Sequence, residues 1–150
     1  MTNEVECDVH RRIREQNISI EEALAQTDML ERDLLEQHGW YVHCLTDGPP
    51  NIHTHGLPEN FRHLDLQIRL PARPDDLHIM LVALVDAIKR GVHLVDGMET
   101  HAIFNVPIRF VERHETGRQV IRAIFPDPDG RFPGDKDCSL GYNEQLIQDA

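Results

Sequence analysis

The sharpest pattern in the chain is the run HLDLQIRL, residues 63–70. Leu64, Leu66, Ile68 and Leu70 alternate there with Asp65, Gln67 and Arg69. A period of two predicts a β-strand with one buried side and one wet or ligand-facing side. Elsewhere the period lengthens. After Ser19, the residues Ile20, Ala23, Leu24, Thr27, Leu30 and Leu34 recur at helical spacing and predict a helix with one apolar face. SIEE opens it as a capping box, with the Ser19 hydroxyl serving one exposed backbone N–H and Glu22 reaching back to another. Gly39 stops it. A second helix is predicted from Asp75 to Arg90. Pro74 presets its first turn, Asp75 and Asp76 suit the positive end of its dipole, and Leu77, Leu81, Leu84, Val85 and Ile88 form its buried stripe.

Shorter runs fill the remainder. WYVHCLT (40–46) and NIHTHGL (51–57) read as strands separated by the breaker DGPP, the second closed by the turn GLPEN. Residues 92–101 read as irregular. IFNVPIRFVER (103–113) and RQVIRAIF (118–125) read as strands joined by HETG. The links among the first three strands are too short for parallel crossovers, so those strands should be antiparallel. The expected fold is α+β: a curved, mainly antiparallel sheet of about five or six strands packed against two main helices, both on its apolar side. Residues 1–18 read as a polar arm and 19–150 as one globular domain. A loop-like tail begins at about 134, and YNEQLIQDA adds a final helical turn.

Composition narrows the partners. A chain of 150 residues, 40% hydrophobic and 27% charged, is that of an ordinary globular protein. The net charge of −11 argues against nucleic acid, which needs a basic footprint. HRRIR (10–14) sits beside Glu4, Glu6, Asp8 and Glu15 and reads as part of a solvated arm. No apolar run approaches the ~20 residues that span a bilayer, and the first twenty residues lack the apolar segment of a signal peptide. Cys7, Cys44 and Cys138 are odd in number, far apart and in no C-x-x-C pair, which suits reduced thiols. A cytoplasmic protein is expected, with a basic protein or a small molecule as partner and neither nucleic acid nor membrane.

Several landmarks then fall in order: HGW (38–40), THGL (54–57), RHLDL (62–66), VPIRFV (106–111) and FPDPDGRFP (125–133). Together they resemble the bacterial family known as domain of unknown function 4262, over about Ala23 to Asp135. The chain keeps Trp40, Thr54, Gly56, Leu57, His63, Asp127 and Gly130 of that family's pattern. It departs at His53 and His55, which flank the threonine where the family has an aromatic and an aliphatic residue. Leu64 stands for a proline, Asp65 for a glutamate, and Phe125 and Gly134 for tryptophans. The resemblance implies no activity or ligand, and any role of His53 and His55 would be particular to this chain.

The candidate chemistry centres on those histidines. Two apart on a strand, they share a face and can present both rings to one ion. Glu59 and His63 are the further donors within reach, giving His53, His55, Glu59 and His63 as the ligand set for a zinc, manganese or iron ion. The plainer reading puts both rings on the solvent side of an edge strand, with Ile52 and Thr54 inward, and outweighs the metal. No cofactor is therefore expected. His63 and Asp65 share a strand face and make an acid–base pair or an exposed polar pair. Asp127 and Asp129 alternate before Gly130 as in a calcium loop, but the remaining ligands of that motif are missing and a tight turn is the better reading. Trp40 reads as the anchor of the first helix. Trp40, His53, Thr54, His55, His63 and Asp65 make up the candidate binding face. The function expected is that of a non-enzymatic binding or regulatory module, with a small histidine-metal hydrolase or lyase at His53, His55 and His63 as the rival. Three imidazole nitrogens converging within ~4–5 Å would favour the rival, because zinc–nitrogen bonds are about 2.0–2.1 Å.

Overall fold

A computed structural model describes residues 16–45, 50–115 and 117–147. The stretch HRRIR, Cys7, most of the polar arm, most of DGPP, Thr116 and the last three residues lie outside them. Local signals explain where most elements begin and end. Helix α1 spans Ile20–His38; the Glu22 N–H donates to the Ser19 hydroxyl at 3.1 Å, and Gly39 ends the helix at φ 81°. Strands β1 (Tyr41–Leu45) and β2 (Asn51–His55) form a hairpin. Where a turn was expected, a short helix α2 (Leu57–Phe61) follows. Strand β3 (Asp65–Ile68) leads to helix α3 (Pro74–Lys89), whose first turn carries Pro74, Asp75 and Asp76. Strands β4 (Glu99–Thr100), β5 (Ile108–Glu115) and β6 (Arg118–Ile124) come next. A single helical turn α4 (Leu140–Asn143) and a 3-10 turn (Glu144–Leu146) close the described chain.

The fold is α+β. One open six-stranded sheet has the order β1-β2-β3-β6-β5-β4, mixed but mostly antiparallel. The first three strands are antiparallel as their short links require. Strand β3 pairs β6 in parallel, because the chain between them passes through α3, β4 and β5, more than the dozen residues a crossover needs.

The alternation along each strand gives the sheet two unlike faces. On one, Val42, Cys44, Ile52, Leu66, Ile68, Ile108, Phe110 and Ala123 join Leu77, Leu81, Leu84, Val85 and Ile88 of α3 in the main core. The register then fixes the other face. Tyr41 pairs His55, His43 pairs His53, His53 pairs Gln67, and Gln67 pairs Arg122. Two expectations change here. The second face of β3 is not wet: Asp65 is 4% exposed and Gln67 0%. The strand is central rather than peripheral, and its polar side chains are covered. The two helices also do not share the apolar face. Leu30 and Leu34 of α1 pack against Tyr41, and Glu31 reaches His43 at 2.9 Å, so α1 lies on the histidine face. The predicted apolar stripe of α1 is accordingly only partly used; Ile20 and Leu24 are exposed.

The far end of the polar face is held by the C-terminal turns. Arg122, fully buried, donates to Gln67 Oε1 at 2.7 Å and to the backbone carbonyls of Gln145 and Ile147. Gln145 uses its side-chain amide as a strand would use its backbone. It accepts from the Phe125 N–H and donates to the Phe125 carbonyl, both at 2.8 Å. Buried polar groups tolerate loss of water only when partnered in this way.

Leu66 sits at the centre of the apolar face with no exposed surface. Leu66→Ala should lower stability by about 2–5 kcal/mol through lost burial and a residual cavity. Chemical denaturation of both proteins measures the difference, and an unchanged midpoint would refute the central placement of β3.

Candidate functional site

The hairpin register determines which histidines meet. His43 stands directly across from His53, and His55 lies two residues along the same face. Their rings are 4.5–5.3 Å apart between centroids, and one ring nitrogen from each of His43, His53 and His55 lies within 4.8 Å of the others. The plainer expectation for the pair is corrected: β2 is flanked by β1 and β3, and His53 is 5% exposed. Ile52 and Thr54 do face inward, both fully buried.

Carboxylates support two of the three rings. Glu115 Oε1 lies 2.8 Å from His53 Nδ1, off the direction of the ring N–H, so the contact is electrostatic more than a linear hydrogen bond. Glu31 Oε1 lies 2.9 Å from His43 Nε2. His55 stacks on Tyr41 at 5.1 Å, and its Nε2 is buried with no hydrogen-bond partner among the described residues. Burial, with the Arg118 guanidinium and the other two imidazoles beside it, holds His55 down at about 3, so its ring is neutral across the ordinary pH range. Burial and the nearby Glu31 push the Tyr41 phenol up to about 12.

Beneath the histidines runs a chain of ion pairs. Arg118 donates to Glu115 Oε2 through Nε and Nη2, to Asp65 Oδ2 through Nη1 at 2.6 Å, and to the Thr54 carbonyl. Asp65 Oδ1 accepts from the Thr54 hydroxyl at 2.8 Å and the Leu57 N–H at 3.2 Å. Burial works to raise Glu115, yet His53 and Arg118 hold it down at about 2. For Asp65 burial wins, and its carboxyl lies above the usual aspartate value despite Thr54 and Arg118.

A cleft of about 680 Å³ opens beside this network, between α1, α2 and the end of the sheet. Its walls include Arg32, Leu35 and Glu36 of α1, Pro58, Glu59 and Asn60 at α2, and Tyr41, His55, Asp65, Arg118 and Gln119 of the sheet. The corner between β2 and α2 is fixed by Gly56. At φ 104°, a Cβ there would lie 2.7 Å from the Gly39 carbonyl oxygen and 2.8 Å from Leu35.

The remaining candidate residues go elsewhere. His63 donates from Nδ1 to the Leu64 carbonyl at 2.7 Å and accepts at Nε2 from the Leu94 N–H at 2.9 Å. Both ring nitrogens are thus used, and the second pins the segment after α3. His63 lies with Glu112 and Ile121, whose side chains belong to the opposite sheet face, and is not brought to His53 and His55. Nor does it meet Asp65, which is committed to Thr54, Leu57 and Arg118. Glu59 lines the cleft outside the histidine cluster. Trp40 is 4% exposed in the main core, with the Lys89 ammonium 6.0 Å from its ring.

The sequence model described as Domain of unknown function (DUF4262) matches residues 34–139. The chain belongs to the DUF4262 family. No curated protein and no solved structure matches it. Within this DUF4262 chain no helix of the described residues is long and apolar enough to cross a membrane. The matched segment contains His43, His53, His55, Asp65, Glu115 and Arg118.

Sequence reasoning missed His43, Tyr41, Glu31, Glu115 and Arg118. A signal for the first two existed. Folding YVHCL back onto NIHTH about the DGPP breaker places Tyr41 and His43 across from His55 and His53. Glu115 and Arg118 had no such signal, since they arrive through the β3–β6 pairing some fifty residues away.

The DPDG segment is a turn. Asp127 Oδ1 accepts from the backbone N–H groups of Asp129 and Arg131, and Oδ2 from the N–H and hydroxyl of Ser139. Its oxygens are occupied by donors. Those contacts, the Arg131 N–H first, hold the carboxyl below its ordinary value of 3.8. A depressed folded-state pKa stabilises the fold above the unfolded value, and this contribution fades as pH falls through the lower folded value. Asp127→Asn should therefore be less stable than the parent at pH 7, with the gap closing below about pH 4. Denaturation midpoints measured across that range test it; a constant gap would contradict the assignment.

Proposed function

We propose that this domain binds a small organic molecule in the cleft between α1, α2 and the histidine face of the sheet. The observation that carries this reading is the cleft itself. Its volume of about 680 Å³ falls in the range of small-molecule sites, about 300–1,000 Å³. Its lining joins apolar surface from Leu35, Pro58 and the Tyr41 ring to converging polar groups from His55, Asn60, Arg118 and Gln119. Of the two partner classes that size and acidity suggest, the cleft favours the small molecule over the basic protein. Asp65 and Arg118 offer oriented polarity without a free charge, because each already pairs with the other. The ligand suited to such a lining is a compact, partly apolar molecule with hydrogen-bonding groups at one end.

One observation favours a second reading, a small metal-dependent hydrolase or lyase. Three imidazoles converge, with His43 in the place expected for His63. Binding at the cleft is common to both readings; catalysis additionally needs the ion.

A ligand-observed magnetic resonance screen of metabolite-sized compounds on the full chain tests the cleft. Hits should perturb Tyr41, His55 and Gln119, and Leu35→Trp, which fills the cleft from α1, should weaken them at least tenfold. Hits that map elsewhere, or that ignore the filled cleft, would overturn the reading.

A further inference from the structure

We infer that His43, His53 and His55 form a binding site for a borderline-soft divalent transition ion, zinc first among them. The inference deepens the metal-dependent reading above, since it supplies the ion that reading requires, and it does not depend on the cleft holding an organic ligand.

Four observations carry it. The first is convergence. Tetrahedral zinc with bonds of about 2.0–2.1 Å holds its nitrogens about 3.3–3.4 Å apart. The three nitrogens here lie within 4.8 Å of one another, so a modest contraction of the cluster would bring them to that spacing. They project from facing strands of one hairpin, a rigid base that needs no backbone rearrangement.

The second is the outer support. Histidine ligands commonly engage a carboxylate through the ring nitrogen that does not bind the metal, which fixes the ring and raises its basicity. Glu115 takes this place at His53 Nδ1, and Glu31 at His43 Nε2. The ion would take the one converging nitrogen that each of His43 and His53 offers. His55 contributes its buried Nε2, which has no hydrogen-bond partner among the described residues. An unpartnered polar atom inside a protein is costly, and an ion at that point would satisfy it.

The third is charge. Glu31 and Glu115 set carboxylates against two of the rings, and Asp65 offsets the Arg118 guanidinium beside them. The fourth is donor type. Three imidazoles suit zinc, copper, nickel or iron, whereas magnesium and calcium seek oxygen ligands.

Three protein ligands leave a fourth position for water or substrate, the arrangement of catalytic rather than structural zinc. Since His55 belongs both to the cluster and to the cleft wall, the ion would stand at the inner end of the cleft. A Lewis acid there can polarise a carbonyl or lower the pKa of a bound water to about 7.

The test uses the full chain, stripped with chelator and titrated separately with zinc and cobalt(II), with no organic ligand present. One ion per chain should bind, and cobalt should give the visible absorption of a four-coordinate site. His43→Ala, whose ring is partly exposed, should weaken zinc binding at least a hundredfold, and Glu115→Gln about 10–100-fold. His101→Ala, at an exposed histidine elsewhere, should change nothing. Circular dichroism confirms that each variant is folded; should His43→Ala fail there, the parent's stoichiometry and cobalt spectrum decide. A parent chain that binds neither ion would overturn the inference, as would one whose bound ion is insensitive to His43→Ala. Neither result would touch organic-ligand binding in the cleft.

Discussion

An ionised side chain leaves water only if other charges and dipoles replace its hydration, and Arg118 is where this sheet meets that demand. It joins Glu115 of β5 to Asp65 of β3 and also holds the Thr54 carbonyl of β2. The desolvation cost of two nearly buried carboxylates is several kcal/mol each, so removing the guanidinium would leave uncompensated charges rather than a simple gap. The same groups set the histidines. Glu115 is anchored by Arg118 on one oxygen and turns the other toward His53 and Gln67. The network ties β2, β3, β5 and β6 together across the sheet.

The sheet accordingly divides its labour. One face is ordinary core, where leucines, isoleucines and Phe110 pack under α3 and supply the hydrophobic stabilisation. The other carries polar and titratable groups, most of them buried, which costs stability and is tolerated because most have partners among the described residues; His55 Nε2 is an exception. The glycine corner at Gly56 contributes rigidity. With α2 pressed against the end of α1, the cleft wall and the strand bearing His55 are held as one piece.

Much of this was readable from the chain, and the boundary between the readable and the hidden is physical. Capping at Ser19, the stop at Gly39, the stripe of α3 and the alternation of β3 are local, and each was visible because neighbours in sequence decide it. The alternation of β3 nevertheless misled about its second face. A period of two says that the faces differ, while only the neighbours of the strand say whether the polar one is wet. Asp65 and Gln67 look like solvent residues until Arg118 and Arg122 arrive from β6. His53 and His55 share one face as their spacing implied, but the third ring was sought downstream at His63. The hairpin brings it from upstream, and His63 is spent on the Leu94 backbone.

The clamp on Arg122 bears on where this domain stops. The family match ends at residue 139, yet the carbonyls that satisfy a fully buried guanidinium belong to Gln145 and Ile147. At the other end, Glu31, which steadies His43, lies before the match begins at residue 34. A fragment trimmed to the shared segment would keep every strand and all three histidines while losing the supports at both ends. Boundaries drawn from sequence likeness and boundaries drawn from hydrogen-bond satisfaction therefore disagree in this chain, and the physical unit is the longer one.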